Sequence, residues 1–121
     1  MPEPERIQLF DGEISEGTKS YQGVYLDEAG DLVLEAQDLG KAARESWGDS
    51  DYEYWIRVRE PNKQTVLVQL REELGTTEGG DEDGELLALI ERKYRGNPAA
   101  SFDFQRWLDA KGIPYEFSSY A

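Results

Sequence analysis

Between Tyr52 and Arg59 the side chains alternate without a break. Tyr52, Tyr54, Ile56 and Val58 fall on one side, and Glu53, Trp55, Arg57 and Arg59 on the other. A period of two belongs to a β-strand, and rings and β-branched residues suit its pleated surface. Directly afterwards the period changes. Pro61 stands where a first helical residue would, and Val66, Leu67, Leu70 and Leu74 form a stripe at helical spacing that Gly75 ends. A chain that carries both periods in succession folds with strands and helices as separate elements.

The rest of the chain extends this pattern. Leu86, Leu87, Ile90 and Tyr94 mark another helix, with Asp83 as its expected cap and Gly96 as its stop. Its acidic start and its basic end (Arg92, Lys93, Arg95) both favour the helix dipole. Ser101 opens a further helix that turns Phe104, Trp107 and Leu108 inward and stops at Gly112. Pro114 lacks an N–H and so belongs at the start or edge of a last strand, Tyr115 to Tyr120.

Upstream, Arg6 to Phe10 reads as a first strand ended by the turn dipeptide Asp11-Gly12, with a polar loop from Asp11 to Lys19. Tyr21–Leu26 and Asp31–Gln37 form a hairpin around Asp27-Glu28-Ala29-Gly30. Asp38 is expected to cap a short helix through Leu39, Ala42, Ala43 and Trp47, closed by Gly48. The order β-β-β-α-β-α-α-α-β implies one α+β domain. Its sheet is mostly antiparallel with about five strands, and about three or four helices pack mainly on one face. Residues 1–5 are polar and expected to fray. Residues 75–85 have no apolar side chain beyond the Thr methyls and are expected to form a mobile acidic loop.

Composition narrows function by exclusion. The chain has no Cys and no His, which removes thiol chemistry, the commonest general base and the commonest transition-metal ligand. No recognisable catalytic motif is present, so a non-enzymatic protein that needs no cofactor is expected. Twenty-six acidic and 13 basic residues give a formal charge of −13. Direct binding to nucleic acid or an anionic membrane is disfavoured, because phosphate needs a basic surface. No segment reads as a signal peptide or membrane span, so a cytoplasmic protein is the default. Residues 1–40 hold ten acidic and two basic side chains, so the excess is weighted toward the first hairpin.

The most distinctive stretch is Gly48-Asp49-Ser50-Asp51-Tyr52-Glu53-Tyr54-Trp55. Tyr and Trp are favoured interface anchors, and carboxylates around them can pair with Lys or Arg of a partner. Asp38, Asp49, Asp51, Tyr52, Glu53 and Trp55 are therefore the candidate partner-binding residues. The same side chains have plainer uses. Tyr52 and Tyr54 suit a core, Trp55 suits a place under a helix, and Asp49 and Asp51 can bond to nearby backbone N–H groups. A weaker alternative places a hard cation among Asp38, Asp49, Asp51 and Glu53, although their spacing does not match the twelve-residue calcium loop.

This stretch, with Gln37-Asp38-Leu39-Gly40 upstream and Gly112-Ile113-Pro114-Tyr115-Glu116-Phe117 near the end, resembles a group of small acidic bacterial proteins with no assigned activity. The resemblance spans roughly residues 21 to 120. It implies a bacterial origin and a self-contained domain, with the 75–85 loop as a local expansion, and it carries over no functional residue. The leading expectation is an acidic module that binds a basic protein, as toxin-neutralising immunity proteins do. A divalent-cation (Ca²⁺ or Mg²⁺) site and a DNA-mimicking inhibitor of a nucleic-acid-binding protein are the alternatives. Tyr115, Phe117 and Tyr120 leave both a monomer and a homodimer open.

Overall fold

The computed structural model describes residues 6–15, 17–40, 51–76 and 81–120. Five strands form one antiparallel sheet in sequential order: β1 (Ile7–Ser15), β2 (Thr18–Leu26), β3 (Leu32–Gly40), β4 (Asp51–Val58) and β5 (Glu116–Tyr120). Between β4 and β5 the chain makes α1 (Glu60–Leu74), α2 (Glu82–Tyr94) and α3 (Ala100–Lys111). This is the α+β architecture expected from the two hydrophobic periods.

The register decides which side chains are inside. Val24, Leu34, Ile56 and Phe117 form one cross-strand row, and Leu26, Leu32 and Val58 form the next. On this inner face Val24, Leu32, Leu34, Ile56 and Val58 are fully buried against Val66, Leu67 and Leu70 of α1, Leu86 and Ile90 of α2, and Phe104 and Leu108 of α3. All three helices thus cover one face. Glu35, Trp55 and Arg57 point to the other, so Trp55 does not lie under a described helix.

Two helices have no side-chain cap of their own. Arg59 precedes α1 and Ala99 precedes α3, and neither side chain accepts a hydrogen bond from the first turn. The sheet supplies both acceptors. Asp31, at the β2–β3 turn, accepts from the Glu60 N–H at 2.8 Å. Gln22, on β2, accepts from the Ser101 N–H through Oε1 at 2.8 Å. The Asp31 carboxylate also takes hydrogen bonds from Arg57 at 3.2 Å and Arg59 at 3.1 Å. Arg57 reaches Asp27 as well, and Arg59 bridges to Glu116 at 2.6 and 2.8 Å.

Several expected boundaries move. Asp11-Gly12 is not a turn; β1 continues to Ser15, because β2 starts at Thr18 and offers ladder partners along its whole length. The register slips at Leu9, whose side chain enters the core while its carbonyl accepts from the Gly96 N–H at 2.8 Å. Asp38 does not cap a helix. Asp38, Leu39 and Gly40 extend β3, paired with Thr18–Ser20 on one side, and Asp38 and Leu39 pair with Tyr52 and Asp51 on the other. Gly40 sits at φ +118°, and an added Cβ would lie 2.1 Å from the Gly17 carbonyl oxygen, so no larger residue fits. The remainder of that expected helix lies outside the described residues.

The acidic loop is shorter than expected. Asp81, not Asp83, caps α2 by accepting from the Gly84 N–H at 2.6 Å. Glu85, expected in the loop, is instead a buried helical residue paired with Arg71. The acidic first turn, Glu82, Asp83 and Glu85, lies at the favourable, positive end of the α2 dipole.

Asp31→Asn tests the α1 cap. Burial pushes the Asp31 carboxyl up, but the Glu60 amide, Arg57 and Arg59 outweigh it and hold it below its ordinary range. A carboxyl with a depressed folded pKa stabilises fully above the unfolded value of about 3.9 and loses this as pH falls through the folded value. The variant should therefore be about 2 kcal/mol less stable at pH 7 in urea melts. The gap should close toward pH 2, and a gap independent of pH contradicts the assignment.

Candidate functional site

At the end of the sheet where β3 leaves and β4 enters, the inner face changes character. The apolar rows give way to Gln22, Ala36 and Tyr54, and then to Ser20, Asp38 and Tyr52. The first turns of α3 lie over these rows. Between them opens a pocket of about 150 Å³ lined by Asp38, Tyr52, Tyr54, Ser101, Phe102, Gln105 and Phe117.

Tyr54 is the centre of its wall. Its ring lies 5.4 Å from Tyr52, 6.1 Å from Phe117 and 6.4 Å from Phe102, centroid to centroid. Its hydroxyl shares a hydrogen bond of 2.9 Å with Ser101 Oγ. Burial pushes its phenol up to about 12, so it stays protonated at neutral pH. Phe102 and Phe117 form the mouth, and they are 62% and 47% exposed, unusual values for rings of this size.

Asp38 is the pocket's carboxylate. The Ser20 hydroxyl donates to its Oδ1 at 2.8 Å. Burial raises the Asp38 carboxyl above its ordinary value, against the opposing effect of that hydrogen bond. No Lys or Arg among the described residues forms an ion pair with it. Asp38 is half-buried; the more deeply buried Asp31 differs in having the Glu60 amide and two arginines, which together reverse the effect of burial.

One hydrogen-bond chain fixes the site. Gln22 is 1% exposed; its Nε2 donates to the Pro98 carbonyl at 2.7 Å and to Ser20 Oγ at 3.2 Å. Its Oε1 holds the Ser101 amide. The same side chain therefore seats the α3 terminus and orients the hydroxyl that holds Asp38.

The candidate residues named from sequence divide between the two faces. Asp38 and Tyr52 are cross-strand neighbours and both line the pocket. Glu53 and Trp55 point to the opposite face, where Gln37 Nε2 donates to Glu53 at 3.3 Å and Trp55 lies opposite Glu35. Asp51 opens β4 opposite Leu39, and Asp49 lies outside the described residues. The structure thus does not gather Asp38 and Glu53 around one cation, and no cluster of three carboxylates fit for a metal occurs among the described residues.

Ser20, Gln22, Ser101, Phe102 and Gln105 were missed. Phe102 carried a signal: it is a large ring on α3 off the stripe of Phe104, Trp107 and Leu108. Gln22 carried another, as a polar residue in register with Val24 and Leu26.

Charge also sorts along the strands. At the β2–β3 turn end, Asp27 and Asp31 meet Arg57 and Arg59, while Glu35 meets Arg6 at 3.9 Å. Lys63, Arg71, Lys93 and Lys111 are engaged by Asp83, Glu85 and Glu73 in the helix layer. At the pocket end, the strand residues Asp11, Glu13, Asp38 and Glu53 have Lys19 as the cation among the described strand positions. Among the described residues, the hairpin carboxylates Asp27, Asp31 and Glu35 are thus in ion pairs at the turn end, and Asp38 at the pocket end is not.

The sequence matches no protein-family model, no curated protein and no solved structure. No helix among the described residues is long and apolar enough to cross a membrane.

Gln22→Leu tests what seats α3. It keeps the volume but strands the Ser101 N–H and the Pro98 carbonyl, at about 2–3 kcal/mol of stability. The Ser101 amide should then exchange with deuterium at least tenfold faster than in the parent. Unchanged exchange at Ser101 would show that another acceptor holds it.

Proposed function

We propose that this chain is a non-enzymatic acidic binding protein for a cationic protein partner, of the kind that inhibits or escorts a basic protein. One observation carries the reading: the pocket that places the desolvated Asp38 carboxylate beneath a ring of aromatic side chains. A carboxylate raised by burial gains most from an incoming cation, because that cation replaces the water it has lost. The excess of acid over base among the described strand positions at the same end adds a field that draws cationic partners in.

The pocket's hydroxyls fit binding better than nucleophilic chemistry. Ser101 shares its hydrogen bond with Tyr54, a phenol that stays protonated and does not serve as a base at neutral pH. Neither histidine nor cysteine occurs in the chain to take that role.

The test begins with capture of partners from host lysate on immobilised protein at about 50 mM salt and release at about 500 mM, where charge is screened. Binding of the purified partner is then measured for Asp38→Asn and for Glu72→Gln, an exposed acid on α1. Both variants change the net charge by the same amount. Asp38→Asn should weaken binding about tenfold or more, as for a charge pair that excludes water. Glu72→Gln should leave it unchanged. No salt-sensitive partner, or equal effects of the two variants, contradicts the reading.

A further inference from the structure

We infer that the Asp38 pocket takes one alkylated ammonium group, such as the methylated end of a lysine side chain, rather than a guanidinium. This rests on the reading of the chain as a binder of cationic partners and specifies the group that enters.

Size comes first. A cavity of 150 Å³ is comparable to those that admit a benzene-sized guest, so about six heavy atoms fit. That is room for one side-chain end and not for a peptide. The walls come next. Tyr52, Tyr54, Phe102 and Phe117 present four rings around that volume, with Tyr54 within 6.4 Å of each of the others. Ring faces attract a cation within about 6 Å of the centroid, and aromatic cages of this kind favour ammonium groups carrying alkyl substituents.

The count of acceptors separates the candidate cations. A guanidinium brings five N–H donors in a rigid fork, and a primary ammonium brings three. The pocket answers with little. Asp38 is its carboxylate, and one of its oxygens already accepts from Ser20. Tyr54 and Ser101 hydrogen-bond each other, and Gln105 donates its amide N–H to the Tyr115 hydroxyl, so its amide oxygen joins Asp38 as an acceptor, still short of the five donors of a guanidinium. Burying the surplus donors of a guanidinium against rings leaves them unsatisfied. Alkyl groups on nitrogen remove donors while keeping the charge, and they match the apolar walls. The exposed rings Phe102 and Phe117 add apolar surface to the lining that such a group would meet.

Choline, its neutral carbon isostere 3,3-dimethyl-1-butanol, and n-butylguanidinium are the probes. Each is titrated into the labelled protein at constant ionic strength, with the ring resonances of Tyr52, Tyr54, Phe102 and Phe117 followed by NMR. Choline should saturate and shift all four rings. The neutral isostere and the guanidinium should each bind about tenfold more weakly or not at all. Asp38→Asn should bring choline down to the level of the isostere, and Phe102→Ala, at an exposed position, should weaken it severalfold.

Equal binding of choline and the isostere overturns the inference, as does preference for the guanidinium. Choline binding that Asp38→Asn leaves intact overturns it too. If a purified partner binds and is weakened by Asp38→Asn while choline fails, the broader reading stands and only this one falls. If neither binds, both fall.

Discussion

Gln22 holds this structure's two halves in register. It is a buried amide on a central strand, and each of its polar atoms does something the neighbouring elements cannot do for themselves. Helix α3 begins at Ala99 and Ala100, which have no side-chain oxygen to offer the first turn. Without the Gln22 carbonyl the Ser101 amide would be buried and unpaired. The cost of burying one more polar side chain on β2 is offset because all of its bonds are made. Asp31 repeats this arrangement at the other end of the sheet for α1. Helix direction is thereby fixed by the sheet at both ends, and the position of the α3 terminus over Tyr54 follows.

Asp31, buried, and Asp38, half-buried, show how one fold puts the same chemical group to opposite uses. Asp31 meets two guanidiniums and a backbone amide, and these overcome the effect of burial. Among the described residues Asp38 accepts from one hydroxyl and stands beside a set of rings, and burial prevails. A satisfied carboxylate supports structure. A carboxylate with one hydrogen bond and no ion pair among the described residues, beside open space, favours an incoming cation more than one already in an ion pair does. The ion pairs among the described strand residues follow the same division, with Arg57 and Arg59 paired to Asp27 and Asp31 at the turn end.

Much of this fold could be read from side-chain period. The β4 alternation and the α1, α2 and α3 stripes all appear where expected, because each buries a continuous apolar face. Boundaries governed by tertiary partners could not be read. Asp11-Gly12 has the composition of a turn, yet β2 pairs with it and keeps it extended. Asp38-Leu39-Gly40 has the composition of a helix start, yet two flanking strands claim it. The site was half legible for the same reason. Asp38 and Tyr52 were named among the binding residues, but so were Glu53 and Trp55, which strand alternation sends to the other face. Phe102, Ser101 and Phe117 join the pocket through contacts more than 40 residues apart in the chain, as in the Tyr54–Ser101 hydrogen bond with its separation of 47. Local pattern holds no record of such pairs.

The central claim is that the fold partly desolvates Asp38 and that no Lys or Arg among the described residues pairs with it. Its most direct test is the titration of the Asp38 side-chain carboxyl by carbon-13 NMR. Around it stand Ser20 from β2, Tyr52 and Tyr54 from β4, and Gln105 from α3. Burial keeps the Tyr54 phenol protonated through the acid range, so a midpoint there reports the carboxyl. A midpoint clearly above the ordinary aspartate value of about 3.9 is the expected result. A midpoint at or below that value would mean that Asp38 is already compensated, and the pocket would have no charge left to offer a ligand.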